Sequence, residues 1–194
     1  MSSKFKIGVA LLCILLFLMM RRSLPRLRHS LPRLAKVAHA WLRPTSISSL
    51  ALSSSTIGLD RSVSLSLTLT SSGDRPTGLQ WMLSYAPADV LSVHIAAGPA
   101  LTAAGKTLNC STASGSLTCL AVGMNSTAIP GGVVAVVTVT LASAPSTSSV
   151  PIAVGNMIGV LADGTALSVT GVGGTIIDSD WQPPAGQPAP DRKP

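Results

Sequence analysis

The sequence predicts an all-β domain of the sandwich or barrel type, and three observations carry this prediction. Stretches in which aliphatic residues alternate with Ser or Thr give the period of two that marks half-buried strands. Turn-forming residues separate these stretches at the short intervals that are typical of sandwiches and barrels. No stretch after residue 46 has the apolar period of a helix, and a bias toward Ser, Thr, Gly, Ala and Val favours strands and turns.

Charge and composition divide the chain into three parts. Residues 1–44 contain nine of the 14 Lys and Arg residues, residues 45–180 form the predicted sandwich, and residues 181–194 are a proline-rich tail that is predicted to be disordered. Between residues 45 and 181, three cations stand against six Asp residues, which gives a net charge of −3. A nucleic-acid-binding domain would carry positive charge on its folded part, so no nucleic-acid partner is predicted.

The N-terminal part is a hydrophobic leader that indicates export or membrane attachment. Residues 7–20 form an uninterrupted apolar run after Lys4 and Lys6, and this run is shorter than the roughly 20 residues of a membrane span. Such a length is typical of a signal-peptide core. Six Lys and Arg residues follow between residues 21 and 36, and by the positive-inside tendency they oppose export. Residues 1–44 are therefore interpreted as a signal peptide or as a short membrane anchor with a basic linker.

Strand signals within the domain begin at residues 63–70, where four aliphatic residues alternate with Ser and Thr. After a turn, Trp81 shares one strand face with Leu79 and Leu83, which predicts a position in the core. The strand at residues 133–141 is expected to be central, because β-branched residues fill both of its faces at first. Further strands are predicted at residues 90–95, 107–110, 117–122, 150–154, 157–161, 166–170 and 175–177.

Two cysteines define a hairpin. If Cys110 lies opposite Cys119, counting inward pairs Ala113 with Ser116 and leaves Ser114-Gly115 as a two-residue loop, which suits a tight hairpin. Ala113 and Ser116 form the hydrogen-bonded pair that closes the loop. Counting outward from them places the two cysteines at a non-hydrogen-bonded pair, where facing residues are closest. A disulfide between Cys110 and Cys119 is therefore predicted.

Catalytic, metal and cofactor sites are not predicted. The single histidine of the domain, His94, alternates with Ser92 on the polar face of a strand, and the chain contains no Glu. Neither a nucleophile with its base nor a pair of catalytic carboxylates is therefore indicated. The Cys residues do not have the spacing of a zinc site. A structural Ca²⁺ ion at Asp60, Asp163 or Asp178 stays an open alternative.

Motifs along residues 47–178 resemble the cohesin-like domains of bacterial extracellular proteins. They are Gly78-Leu-Gln-Trp-Met-Leu-Ser-Tyr85-Ala-Pro with Val90-Leu-Ser-Val, Gly105-Lys-Thr-Leu-Asn-Cys110, Leu117-Thr-Cys-Leu-Ala-Val-Gly-Met-Asn125, Ile129-Pro-Gly-Gly-Val-Val-Ala135 and Gly173-Gly-Thr-Ile176. The first motif looks like the family's strand, Tyr-Asp-Pro-like turn and following strand. The resemblance covers about two thirds of the chain. It implies an antiparallel jelly-roll β-sandwich of about nine strands, related also to carbohydrate-binding modules.

The sequence thus predicts a non-catalytic binding or scaffolding module that meets a protein partner. We expect it in the secreted fraction or at the cell envelope, with residues 7–20 as the segment for membrane association. The alternative is a carbohydrate-binding module of the same fold family, whose partner is a polysaccharide. Trp181 is then the candidate ligand contact, because it is an aromatic residue outside the densest strand pattern.

Overall fold

The computed structural model describes residues 47–183, which form a two-layered β-sandwich. The predicted leader, residues 1–44, and residues 184–194 of the predicted tail lie outside the described residues. The described part contains these elements: β1 (Ile47–Leu52), β2 (Ser55–Ile57), β3 (Ser62–Ser72), β4 (Gly78–Ser84), β5 (Val90–Ala97), α1 (Pro99–Ala103), β6 (Thr107–Ala113), β7 (Ser116–Val122), β8 (Gly132–Leu141), β9 (Ser149–Val160), β10 (Ala166–Leu167), β11 (Val169–Val172) and β12 (Gly174–Asp178).

The strands form two sheets, and the all-β sandwich predicted from the sequence is confirmed. The five-stranded sheet has the order β11-β1-β3-β8-β5. The seven-stranded sheet has the order β2-β12-β9-β4-β7-β6, with β10 paired to β9. Most neighbours are antiparallel, but β1 with β11 and β2 with β12 are parallel. The parallel pairs arise because the last two strands return to pair with the first two strands of the domain.

Alternation along the strands builds the core between the sheets. The inward positions of β3 hold three leucines with almost no exposed surface, Leu65, Leu67 and Leu69. From the other sheet, β4 contributes Trp81 between Leu79 and Leu83, and all three are buried. The predicted core position of Trp81 is confirmed, since its exposed fraction is 0%.

Strand β9 differs from the prediction, because it is continuous where two separate strands were expected. Between the pair Gln80 with Ile158 and the pair Met82 with Gly155, β9 has one residue more than β4. This extra residue is a β-bulge. Asn156 lies in the bulge with φ 50°, so a Gly-Asn sequence that resembles a turn is accommodated within the strand.

Two further elements depart from the sequence prediction. The predicted strand at residues 166–170 is divided between the sheets, because β10 pairs with β9 and β11 pairs with β1. Helix α1 was not predicted, since five residues are too few to show a helical period. It begins at Pro99, whose fixed φ suits a first helical position, and it buries Ala100 and Leu101.

Strands β6 and β7 form a hairpin whose pairing register is the one predicted from the positions of the two cysteines. Cys110 lies opposite Cys119 with their Cα atoms 4.1 Å apart, and a disulfide joins them. Gly115 in the loop has φ 72°, and a Cβ atom there would lie 2.9 Å from the Tyr85 carbonyl oxygen. Both observations require glycine at this turn. The disulfide ties β6, the edge strand of its sheet, to β7.

Trp81→Ala is expected to lower the free energy of unfolding by about 3–5 kcal/mol, because a large, wholly buried side chain is lost and a cavity remains. Met82→Ala is the matched control, since Met82 follows Trp81 in β4 but lies on the outer face and is only half-buried. Urea unfolding measures both changes. A loss under about 1 kcal/mol for Trp81→Ala, or an equal loss for both variants, would contradict the core position.

Candidate functional site

The outer face of the seven-stranded sheet carries an apolar groove of about 350 Å³. The groove crosses β9, β4 and β7, and none of the residues that line it is charged. We call this surface the sheet-face groove and define it by Gly78, Gln80, Leu120, Val122, Ile158 and Val160.

Cross-strand pairing on the outer face produces the groove. Gln80 lies opposite Ile158 of β9 and opposite Leu120 of β7, so an amide stands between two aliphatic side chains. The previous outward position of β4 is two residues away, because side chains alternate between the faces of a sheet. Gly78 occupies this position opposite Val160 and has no side chain, which lowers the floor of the groove.

Aliphatic surface in the groove is exposed to an unusual degree. The four aliphatic side chains that define it are 37–50% exposed. Single exposed aliphatic residues are common on protein surfaces, but several that line one uncharged groove form a contiguous patch. Met124, in the loop after β7, lies between two groove-lining residues in the sequence and is itself fully exposed. Patches of this kind mark contact surfaces for other macromolecules.

A buried lysine fixes one wall of the groove. Lys106 Nζ donates hydrogen bonds to the Asn125 side-chain oxygen at 2.7 Å and to the Asn125 backbone oxygen at 2.9 Å. The Asn125 side chain in turn donates from Nδ2 to the Gly105 carbonyl oxygen at 3.2 Å and accepts at Oδ1 from the Thr127 amide at 3.1 Å. Burial lowers the pKa of Lys106, because desolvation disfavours the charged form. Asn125 lines the groove, so these bonds hold the shape of its wall.

Trp181, the candidate ligand contact, lies just after β12 in a separate pocket of about 220 Å³. The indole is half-buried, and its Nε1 donates a 2.9 Å hydrogen bond to the Pro145 carbonyl oxygen. Arg61 and Asp178 line the same pocket and form an ion pair with an N to O distance of 3.2 Å. Asp180 also lines this pocket, so the structure brings Trp181 together with three charged residues that sequence reasoning did not connect with it.

Comparison with solved structures identifies the fold. The non-cellulosomal cohesin of Archaeoglobus fulgidus superposes with a TM-score of 0.56 at 13% identity, over 69% of this chain and 91% of that chain. The sixth cohesin of Acetivibrio cellulolyticus scaffoldin B, solved with a dockerin, gives 0.58 at 18%, over 68% and 99%. A cohesin of Clostridium thermocellum in a type I cohesin–dockerin complex gives 0.60 at 11%, also over 68% and 99%. This chain has a cohesin-like fold.

At these identities the likeness shows the fold alone, and the resemblance read from the sequence motifs is confirmed at that level. No protein-family model matches the chain, and no curated protein matches it. What the cohesin-like domain does must therefore be argued from its own surfaces.

The other residues considered for chemistry lie apart in the cohesin-like domain. His94 is exposed on β5. Asp163 accepts hydrogen bonds from the amide and hydroxyl of Thr165 within a turn, and Asp178 pairs with Arg61. Across residues 47–183, no three His, Cys, Asp or Glu side chains are grouped as a metal site. No helix in the same range is long and apolar enough to cross a membrane. The predicted membrane segment, residues 7–20, lies outside the described residues.

Sequence reasoning missed the sheet-face groove, although a signal for it exists. In β7 the inward positions Leu117, Cys119 and Ala121 are buried, as alternation requires. The outward positions Leu120 and Val122 are also apolar. A strand that is apolar on both faces in a two-layered sandwich has one apolar face left over, and this surplus indicates a contact surface.

Lys106→Met is expected to remove a pH dependence of stability. Because folding lowers the pKa of Lys106, the unfolded chain binds more protons at this residue than the folded chain, and the free energy of unfolding rises with pH. This rise ends near the ordinary lysine value of 10.5. Urea unfolding between neutral pH and 10.5 should therefore show wild type gaining stability relative to Lys106→Met.

Arg75→Met is the matched control for this measurement. It removes one exposed cation, and arginine does not titrate in this pH range. The difference in the free energy of unfolding between wild type and Arg75→Met should stay nearly constant as the pH rises. A constant difference for Lys106→Met as well would show that the lysine is not desolvated.

Proposed function

We propose that the cohesin-like domain is a non-catalytic protein-binding module whose partner docks in the sheet-face groove. The observation that carries this proposal is a group of four aliphatic side chains, 37–50% exposed, in a groove with no charged lining residue. The opposite face of the same strands is buried in the core, so the groove rests on a rigid base.

The residues that line the sheet-face groove are suited to contact with an apolar surface on the partner. Docking would remove the four aliphatic side chains from water without desolvating a charge, and apolar burial is the main favourable contribution to association. Gln80 at the centre offers both a hydrogen-bond donor and acceptors, which would fix the register of the partner. An apolar centre with a few placed polar groups is the usual composition of a protein–protein contact.

Cohesins in known complexes support a protein partner by analogy. The Acetivibrio cellulolyticus and Clostridium thermocellum cohesins were solved bound to dockerins. In those proteins the same fold acts as a binding module for another protein. This analogy also supports a non-enzymatic role for the present chain.

Export of the module is the second part of the proposal. The disulfide between Cys110 and Cys119 supports an oxidising compartment, because such bonds rarely persist in a reducing cytosol. The apolar run at residues 7–20 supports the same conclusion. We therefore propose that the module acts in the secreted fraction or at the cell envelope.

Leu120→Asp is expected to weaken partner binding by at least about 2 kcal/mol, which is roughly a thirtyfold increase in Kd, because a charge would be buried against an apolar surface. A photo-crosslinking residue at position 120, introduced in the native host, should first capture the partner and allow its identification. Titration of the purified partner with wild type and Leu120→Asp then gives the two dissociation constants.

Ser92→Asp is the matched control, since Ser92 is exposed on β5 of the other sheet. It should leave partner binding unchanged, and a crosslinker at position 92 should capture no such partner. Thermal unfolding checks that both variants stay folded. Equal binding by wild type and Leu120→Asp would exclude the groove as the docking surface.

Protease added to intact cells is expected to digest the domain, because export would place residues 47–183 outside the cytoplasm. Alkylation before reduction should leave Cys110 and Cys119 unlabelled, since both sulfur atoms are in the disulfide. A cytoplasmic enzyme that stays protected serves as the control. Full protection of the domain until lysis, together with two reactive thiols, would contradict export.

A further inference from the structure

We propose a second binding site, for a neutral sugar ring, in the pocket beside Trp181. This site goes beyond the protein-binding function and uses other residues. The pocket, called here the Trp181 pocket, is lined mainly by Arg61, Ser143, Pro145, Asp178, Asp180 and Trp181. Its volume of about 220 Å³ lies below that of clefts for drug-sized ligands, and this size suits one pyranose ring.

Arg61 is held in an uncommon conformation at this pocket. Its φ of 51° lies in the left-handed region, which non-glycine residues seldom adopt and which is enriched at binding sites. Arg61 Nε donates to the Ala142 carbonyl oxygen at 3.0 Å, and Nη2 donates to the same oxygen. These bonds and the ion pair to Asp178 hold the guanidinium in place at the pocket wall.

Asp178 is a buried carboxylate that holds the wall of the pocket in place. The residue is 3% exposed, and its Oδ1 accepts a hydrogen bond from the Asp180 amide at 3.1 Å. Its Oδ2 lies 3.2 Å from Arg61 Nη1, and its side chain has no exposed surface. A buried charge needs a partner of opposite charge, and the ion pair with Arg61 provides it. A ligand cannot reach this carboxylate, so Asp178 acts by positioning Arg61 and the Asp180 backbone, and Asp180 carries the exposed carboxylate of the pocket.

The aromatic wall of the pocket is also fixed in advance. Trp181 uses its only hydrogen-bond donor on the Pro145 carbonyl oxygen, which sets the orientation of the ring. The loop that carries Pro145 is anchored by Asp89, a buried residue whose carboxylate accepts from the amide and the hydroxyl of Ser146 at 2.6 and 3.0 Å. A fixed ring and a fixed loop lower the ordering cost of binding.

Together these groups select a neutral polyhydroxylated ring. One face of a pyranose is lined by C–H groups that pack on an indole, and its hydroxyls both donate and accept hydrogen bonds. Arg61 supplies donors only, whereas the exposed carboxylate of Asp180 supplies acceptors only. Arg61, Asp178 and Asp180 together carry a net charge of −1, and this charge disfavours an anionic ligand.

Indole signals in an amide-correlation NMR spectrum of the ¹⁵N-labelled full chain, held in a sugar-free detergent, provide the test. Methyl glycosides of glucose, mannose and galactose are the probes, and the Trp181 signal is identified by its absence in Trp181→Phe. We expect at least one glycoside to shift this signal in a saturable way over the millimolar range. The Trp81 indole, which is wholly buried, should not move.

Asp180→Asn is expected to raise the dissociation constant about tenfold, because one charged acceptor is lost while the exposed side chain leaves the fold unchanged. Leu120→Asp in the sheet-face groove should leave glycoside binding unchanged. Absence of a saturable shift with all three glycosides would overturn the proposal. Parallel shifts of the Trp81 and Trp181 signals would also overturn it. N-acetyl-lysine methylamide serves as a cationic probe, and a saturable shift with this compound alone would overturn the proposal by showing a site for cations.

Discussion

Burial of Trp81 between the two sheets is the constraint on which the rest of the structure depends. Its strand, β4, lies between β9 and β7 in the middle of the seven-stranded sheet. With Trp81 facing inward, alternation turns Gly78 and Gln80 outward, and pairing then sets Ile158 and Leu120 beside Gln80. A slip of one residue would exchange the faces, placing Gln80 in the core and Trp81 in solvent. The core side chain that stabilises the fold therefore also positions the groove.

Local rules explain which parts of the fold could be predicted from the sequence. The register of Cys110 with Cys119 follows from a two-residue loop and a period of two, both of which act over fewer than a dozen residues. The continuity of β9 through Asn156 could not be predicted, because the bulge depends on pairing with β4, some seventy residues earlier in the chain. The parallel pairing of β1 with β11 likewise joins the two ends of the domain. Such pairings depend on tertiary contacts that have no local signal.

The same distinction applies to the two candidate sites. Trp181 could be selected from the sequence because it is an aromatic residue outside the strand pattern. Its neighbour Arg61 could not, because Arg61 lines the pocket in a left-handed backbone conformation that no sequence pattern indicates. The groove requires Leu120 and Ile158, which meet only through their separate pairings with Gln80. The buried Lys106 is a third case, since a lysine beside Gly105 reads as a surface residue until the loop that contains Asn125 covers it.

Both sites adjoin the seven-stranded sheet, and this arrangement has a consequence for binding. The groove crosses β9, β4 and β7, whereas the Trp181 pocket follows β12, which pairs directly with β9 along Gly174 to Ile177. Hydrogen-bonded neighbours in a sheet hold a fixed separation, so no flexible linker lies between the two sites. A protein held in the groove and a sugar held beside Trp181 would thus be kept at a constant distance. A weak sugar contact is then sufficient, because the second of two linked contacts forms at a high effective concentration once the first has formed.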